Sequence, residues 1–250
     1  VVGHDHLGHG KTAKTPEDWG YFADGESPEI LIGDMNKLRT LSQEPDKPYF
    51  MLGHSMGSYL LRRYLSVYGG GLSGAVIMGT GANPDAVAKL GMAVCKAIAA
   101  FKGWKYRSPF MEKLFFSGDF QKFDMDGTHP ENSWLTKDTE IVRFYYSEPR
   151  CTFKFTLKAY YDFLKTVYYV NRKENVEKIP KDLPILMVAG DCDPVGEFGK
   201  AVKRVYEMYK AAGINDVTLK LYENDRHEIL NETDKERVFD DIFNWCEDRQ

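Results

Sequence analysis

The chain has 250 residues, of which 43% are apolar, and its formal net charge at pH 7 is −4. This length and composition support one sizeable hydrophobic core with room for an inserted subdomain. The acidic balance gives no support to a nucleic-acid partner. No apolar run reaches the length of a membrane span, and the four cysteines form no C-x-x-C pair, so neither a zinc site nor a disulfide framework is indicated. We expect reduced thiols and a cytoplasmic location.

Strand and helix patterns alternate through both ends of the chain. Short apolar runs predict strands at VVGHD (1–5), KPYFML (47–52), LSGAVIMGTG (72–81), LPILMVAG (183–190) and VTLKLYE (217–223). Amphipathic runs predict helices at residues 27–43, 58–68, 200–213 and 235–249. Short buried strands that alternate with helices indicate an α/β protein, with a mostly parallel sheet covered on both faces.

The middle of the chain, residues 83–178, differs from both ends and is called the insertion below. It lacks buried-strand runs, contains 19 of the 34 aromatic residues, and carries 16 Lys and Arg against 12 Asp and Glu. This pattern predicts a mainly helical cap, or lid, inserted into a core made of residues 1–82 and 179–250. The aromatic residues form either a small core of the insertion itself or the lining of an apolar pocket. The positive balance of the insertion suggests an anionic interface, either phospholipid headgroups or a membrane surface.

The motif GHSMG (53–57) lies between a predicted strand and a predicted helix. A serine in this setting is typical of a nucleophile elbow, in which a cramped turn lifts the hydroxyl above the carboxyl edge of the sheet. We therefore interpret Ser55 as a nucleophile. Side chains at both flanking glycines are expected to collide with the neighbouring strand and helix. The N–H of Met56, at the helix N-terminus, is the expected first donor of an oxyanion hole.

A serine nucleophile needs a base to take its proton, and the base needs an acid behind it. Of the six histidines, only His227 follows the last predicted strand, as the chain order Ser, acid, His requires. The acid is expected in the loop after residue 190, where Asp191 and Asp193 both qualify. We favour Asp193, because it lies farther from the strand end and Pro194 stiffens its turn. Asp191 is then expected to accept hydrogen bonds from loop N–H groups.

Several motifs in this order resemble one branch of the α/β-hydrolase superfamily, the monoacylglycerol lipase and lysophospholipase family, which is also serine aminopeptidase S33-like. The motifs are HDHLGHGKT (4–12), LGHSMGS (52–58), LTKDTEIVRFYYSEP (135–149), GDCDPVG (190–196) and LYENDRHEILNE (221–232). The resemblance covers nearly the whole chain and implies an α/β-hydrolase fold with a helical lid. It supports a triad of Ser55, Asp193 and His227. It also implies hydrolysis of a single acyl ester on a glycerol-type head, with no cofactor and no metal.

The resemblance also implies that the family's N-terminal strands are missing from this sequence. Members of the family begin two or three strands earlier, with a strand that would pair beside residues 1–5 and a loop that donates the second oxyanion N–H. Unpaired buried backbone groups are costly. We therefore expect an N-terminal segment, a second chain or another protomer to complete the sheet.

The sequence thus predicts a serine hydrolase that cleaves carboxylic esters of monoacylglycerol or lysophospholipid type through an acyl-enzyme intermediate. Two alternatives remain open: a serine peptidase or amidase of the same fold, and a non-catalytic protein that binds an apolar ligand. An aminopeptidase needs an acidic group to hold the substrate amine, which an insertion with an excess of Lys and Arg does not favour.

Overall fold

The computed structural model describes all residues from 1 to 250. Four parallel strands form one sheet, with each strand beside the next in chain order. The strands are β1 (Phe50–His54), β2 (Gly74–Met78), β3 (Ile185–Gly190) and β4 (Val217–Tyr222). Because the strands are parallel, their carboxyl ends all lie at one edge of the sheet, where ligands bind in open α/β folds.

Ten α-helices pack around this sheet or form the insertion. They are α1 (Ser27–Ser42), α2 (Met56–Tyr68), α3 (Asp85–Lys102), α4 (Pro109–Phe115), α5 (Thr139–Ser147), α6 (Pro149–Thr152), α7 (Leu157–Val170), α8 (Lys173–Val176), α9 (Lys200–Ala211) and α10 (Glu236–Glu247). None of them combines the length and the apolar character that crossing a membrane requires.

Helices cover both faces of the sheet, as the apolar strand runs predict. Ala75 and Ile77 of β2 belong to the larger core cluster, which they share with side chains of α1, α2 and α9. Val76 and Met78 point to the opposite face and pack with α10. The predicted parallel sheet, buried on both sides, is therefore confirmed.

The insertion is mainly helical, and α3 to α8 all lie within it, between β2 and β3. Part of its apolar content forms a small core of its own, in which Cys95 of α3 and Met111 of α4 pack with Leu157 and Leu164 of α7. Buried Arg62 of α2 donates to the carbonyl oxygen of Val170 at 3.1 Å, at the end of α7. Helix α7 thus attaches the insertion to the helical layer of the core.

The prediction of a strand at residues 1–5 is wrong. These residues have no regular secondary structure and are exposed. A strand needs a neighbour with which to share its hydrogen bonds, and β1, the edge strand of the sheet, pairs only with β2. The side chain of Leu52 on this edge strand is also exposed.

Candidate active site

Ser55 lies in a sharp turn between β1 and α2. Its backbone has φ 53° and ψ −122°, a combination that residues with side chains rarely adopt. The N–H of Ser55 donates to the carbonyl oxygen of Met78 at 3.0 Å, which ties the turn to the end of β2. Met56 is the first residue of α2, so its N–H has no acceptor within the helix. The turn therefore presents a serine and a free helix N-terminus at the carboxyl edge of the sheet.

The two glycines of the motif have different roles. A Cβ atom at Gly53 would lie 2.4 Å from the carbonyl oxygen of Gly57 and 2.9 Å from the Cβ of Leu61, so no side chain fits there. A Cβ atom at Gly57 would meet nothing within 4 Å. The predicted collision is therefore correct for Gly53 and wrong for Gly57. Gly57 contributes only its carbonyl group to the close contact, and a side chain at Gly57 would extend into open space.

Asp193 and His227 meet at the same edge, on the loops that follow β3 and β4. The Oδ2 atom of Asp193 lies 3.0 Å from Nδ1 of His227. Both side chains are buried, with exposed fractions of 0% for Asp193 and 2% for His227. The other oxygen of Asp193 accepts from the N–H of Val195 at 2.8 Å. Asp191 accepts instead from the N–H of Asn224 at 2.8 Å, so Asp193 is the carboxylate that contacts the histidine.

The ring of His227 lies next to the Ser55 turn, although the two side chains are not hydrogen bonded. The N–H of Ser55 donates to the carbonyl oxygen of Met78, and Gly79 is the next residue in the chain. The His227 ring packs on Gly79 so closely that a Cβ atom there would lie 3.1 Å from Cε1 of His227. The Nε2 atom of His227 is buried and has no hydrogen-bond partner. Catalytic hydrogen bonds are often long or poorly aligned in free enzymes. The structure therefore brings Asp193 and His227 into contact close to the turn that carries Ser55.

Two further rings pack against His227, and sequence reasoning gave neither a role. The ring centroid of His54 is 4.6 Å from that of His227, and the centroid of Trp134 is 5.1 Å away. Nε2 of His54 donates to the carbonyl oxygen of His227 at 3.0 Å. Burial and the charge of His227 lower the pKa of His54 to about 4. His54 is next to Ser55 in the sequence, which could have indicated that it lies near His227. Nothing in the sequence indicated the contact of Trp134 with His227.

Together, the parallel sheet, the strained serine turn and the buried acid–histidine pair are features of the α/β-hydrolase class. A family model described as "Serine aminopeptidase, S33" matches residues 1–234. The chain therefore belongs to this family of α/β-hydrolases.

The chain is similar to two lipases of known sequence and to a carboxyl esterase of known structure. The chain is 26% identical over 248 residues to a monoacylglycerol lipase of Mycolicibacterium smegmatis, covering 96% of this chain and 75% of that protein. It is also 26% identical over 260 residues to the monoglyceride lipase of Mus musculus, covering 100% of this chain and 73% of that protein. A thermostable carboxyl esterase from Bacillus coagulans, solved in complex with glycerol, is similar in structure, with a TM-score of 0.86 and 31% identity over 98% of this chain and 79% of that one.

The glycine geometry predicts opposite results for two alanine substitutions in the serine motif. Gly53→Ala should destabilise the fold by about 2 kcal/mol or more, because its methyl group would overlap the backbone of α2. Gly57→Ala should leave the free energy of unfolding unchanged or raise it by up to about 1 kcal/mol, since alanine favours helix and the site is open. Urea unfolding of both variants beside the parent protein measures this. Equal losses in the two variants would contradict the assignment.

The lowered pKa of His54 predicts that part of the stability is lost in mild acid. The unfolded chain takes up a proton at His54 below about pH 6.5, whereas the folded chain does so only near pH 4. Stability from this group is thus complete above pH 6.5 and lost as the pH falls towards 4. In His54→Gln, the drop in unfolding free energy between pH 7 and 5 should be smaller by about 2 kcal/mol.

His6 provides a parallel test of the same effect at a second buried histidine. Burial and the charges of His4 and His9 lower its pKa to about 4 as well, so His6→Gln should also flatten the pH dependence. Urea titrations at pH 7, 6 and 5 supply the values. An unchanged slope in His54→Gln, with a flatter slope in His6→Gln, would show that His54 takes up its proton equally in both states.

Proposed function

We propose that this chain, a carboxylic ester hydrolase, cleaves esters of monoacylglycerol or lysophospholipid type with Ser55 as the nucleophile. The observation that carries the proposal is the buried Asp193–His227 pair beside the strained turn of Ser55. The substrate class is supported by the two lipase relatives and by the esterase that was solved with glycerol.

In the first half of the reaction, Ser55 takes the acyl group. The Nε2 atom of His227 accepts the hydroxyl proton while Oγ of Ser55 bonds to the ester carbonyl carbon. Asp193 accepts the hydrogen bond from Nδ1–H, which holds the tautomer that leaves Nε2 free, and it balances the charge of the imidazolium. The N–H of Met56 donates to the oxyanion. The carbonyl then re-forms, the bond to the glycerol-type oxygen breaks, and His227 gives its proton to that oxygen.

In the second half, water releases the acyl group. His227 takes a proton from the water as its oxygen bonds to the acyl carbon, and Oγ of Ser55 leaves and recovers a proton from His227. The products are a fatty acid and the free enzyme. The prediction that a segment outside this sequence supplies a second oxyanion donor stays a prediction.

Aromatic side chains of the insertion stand beside the histidine, and we propose that residues 83–178 act as a cap there. The ring centroids of Phe116 and Phe120 lie 6.1 Å and 5.3 Å from that of Trp134, which packs on His227. These rings form an apolar wall that reaches His227 through Trp134. An acyl chain that lies against this wall places its ester carbon near Ser55 while water is kept away.

Replacement of the nucleophile gives the direct test. Ser55→Ala should lower kcat for a p-nitrophenyl ester by at least about 10⁴-fold, as loss of a triad serine does in other hydrolases. Ser66→Ala, on the same helix but near its other end, is the matched control and should retain full activity. A fluorophosphonate probe should label the parent protein at Ser55 and leave Ser55→Ala unlabelled. Full activity in Ser55→Ala would rule out the mechanism.

A substrate panel separates the proposed activity from its alternatives. Monoacylglycerols and lysophospholipids of several chain lengths are compared with aminoacyl amides at equal concentration. Faster turnover of the lipid esters supports the proposal, whereas faster turnover of the amides supports a peptidase. Lack of both turnover and probe labelling, with binding of a fatty acid retained, supports a ligand-binding protein.

We also propose that the insertion contacts an anionic lipid surface through α3 and α4. Large apolar side chains are exposed on and just after these helices, including Leu90, Phe101 with an exposed fraction of 89%, and Phe110. Exposed lysines lie around them at positions 89, 96, 102, 105 and 113. Apolar side chains flanked by lysines suit the boundary of an anionic bilayer, where each cation contributes about 1 kcal/mol.

Vesicle sedimentation tests this contact. The protein should bind vesicles that contain phosphatidylglycerol more than vesicles of phosphatidylcholine alone, and salt should weaken the binding. The double variant Phe101→Ser with Phe110→Ser should reduce the bound fraction severalfold. Phe243→Ser, at an exposed site on α10, is the matched control and should bind as the parent does. Equal binding by all variants would contradict this surface.

A further inference from the structure

The loop that carries His227 is held in place by the insertion. This histidine loop, residues 223–231, follows β4 and contains only turns and one short 3₁₀ helix. The N–H of His227 donates to the carbonyl oxygen of Trp134 at 3.3 Å, and the N–H of Glu228 donates to that of Leu135 at 2.7 Å. The backbone on which the histidine stands therefore depends on residues 134–137 of the insertion, called the support segment here.

One buried carboxylate joins the histidine loop to the support segment. Glu232 has an exposed fraction of 0%. Its Oε1 accepts from the N–H of Arg226 at 2.7 Å, one residue before the histidine. Its Oε2 accepts from Oγ1 of Thr136 and from the N–H of Lys137, both at 3.0 Å. Each oxygen of the carboxylate thus serves one of the two pieces of chain.

One cation lies near the Glu232 carboxylate, within a wider set of charged groups. A second buried carboxylate, Asp225, accepts from Nζ of Lys137 at 2.7 Å and from Arg237 at 2.9 Å. Nζ of Lys137 also lies 3.8 Å from Oε2 of Glu232. The guanidinium of Arg226 donates to the carbonyl oxygens of Glu131 at 3.0 Å and Thr136 at 3.2 Å. Buried charges persist only when they are paired and hydrogen bonded in this way, and removal of one member is costly.

We propose that Glu232 is a positioning residue for His227, which it keeps in register with Asp193 and Ser55 by holding the histidine loop on the support segment. The inference rests on the proposed function of His227 as the base. The contacts of Glu232 are with the backbone and side chains of neighbouring residues, and none is with the ring of His227 or with Ser55. A displacement of about 1 Å at a reacting group can lower a rate by about 10²-fold. Loss of Glu232 should therefore reduce kcat and leave KM nearly unchanged.

The test compares three variants by kcat per active site. Sites are counted by complete reaction with a fluorophosphonate, so that unfolded protein does not enter the rate. Glu232→Ala should lower kcat per site by about 10- to 100-fold, with KM within about twofold. Glu232→Gln keeps an acceptor for Arg226 and a partner for Thr136 but faces the N–H of Lys137 with its amide group. We expect its loss to be smaller, about three- to tenfold.

Arg39→Gln is the control for a general loss of stability. Arg39 is a buried cation of α1 that contacts the C-terminal end of α2. It donates there to the carbonyl oxygens of Tyr68 and Gly70, both at 3.0 Å. This variant should lower the melting temperature while kcat per site stays at the parent value. An equal loss of kcat in Arg39→Gln and Glu232→Ala would overturn the inference, because any loosening of the fold would then suffice.

The other possible outcomes also test the positioning role of Glu232. If Glu232→Ala does not fold, Glu232→Gln carries the test, and a kcat per site within twofold of the parent value overturns the inference. Failure of the proposed function is seen separately, because the probe would then leave Ser55 unlabelled in the parent protein. Complete labelling with an unchanged rate in the Glu232 variants contradicts only the positioning role.

Discussion

The common direction of the four strands is the constraint on which the site depends. Because the strands are parallel, the turn after β1 and the loops after β3 and β4 leave the sheet at one edge. Ser55, Asp193 and His227 are far apart in the chain and become neighbours only through this arrangement. The apolar faces of the sheet are covered by helices, so this edge is the place where polar side chains can meet without disturbing the core.

The insertion has two structural roles, and its composition alone did not distinguish them. Helix α7 packs on the helical layer of the core and carries part of the insertion's own apolar cluster. The support segment, residues 134–137, instead binds the histidine loop through backbone hydrogen bonds and through the carboxylate of Glu232. The insertion is therefore attached to the rest of the protein in two places, at α7 and at the histidine loop.

Local patterns were sufficient for most of the fold and for part of the site. Apolar runs predicted the four strands of the sheet, but the strand at residues 1–5 failed because pairing needs a neighbour, which a local pattern does not reveal. Chain order limited the acid to two carboxylates, and in the structure Asp193 is the one that contacts the histidine. Trp134 and Glu232 were not predicted, since no motif order implies their contacts as it does for the triad, and those contacts join residues more than 90 positions apart. The roles of the site residues stay proposals.

The packing of Trp134 on His227 has a consequence for the charge that forms during the proposed reaction. The imidazole becomes a cation when it takes the serine proton, and the indole lies within 5.1 Å of it at a tilt of 31°. The electron-rich face of an indole attracts a cation, and most strongly where water is excluded. In the proposed reaction the insertion would thus lower the energy of the transient ion pair itself, a contribution separate from any contact of Phe116 and Phe120 with the acyl chain.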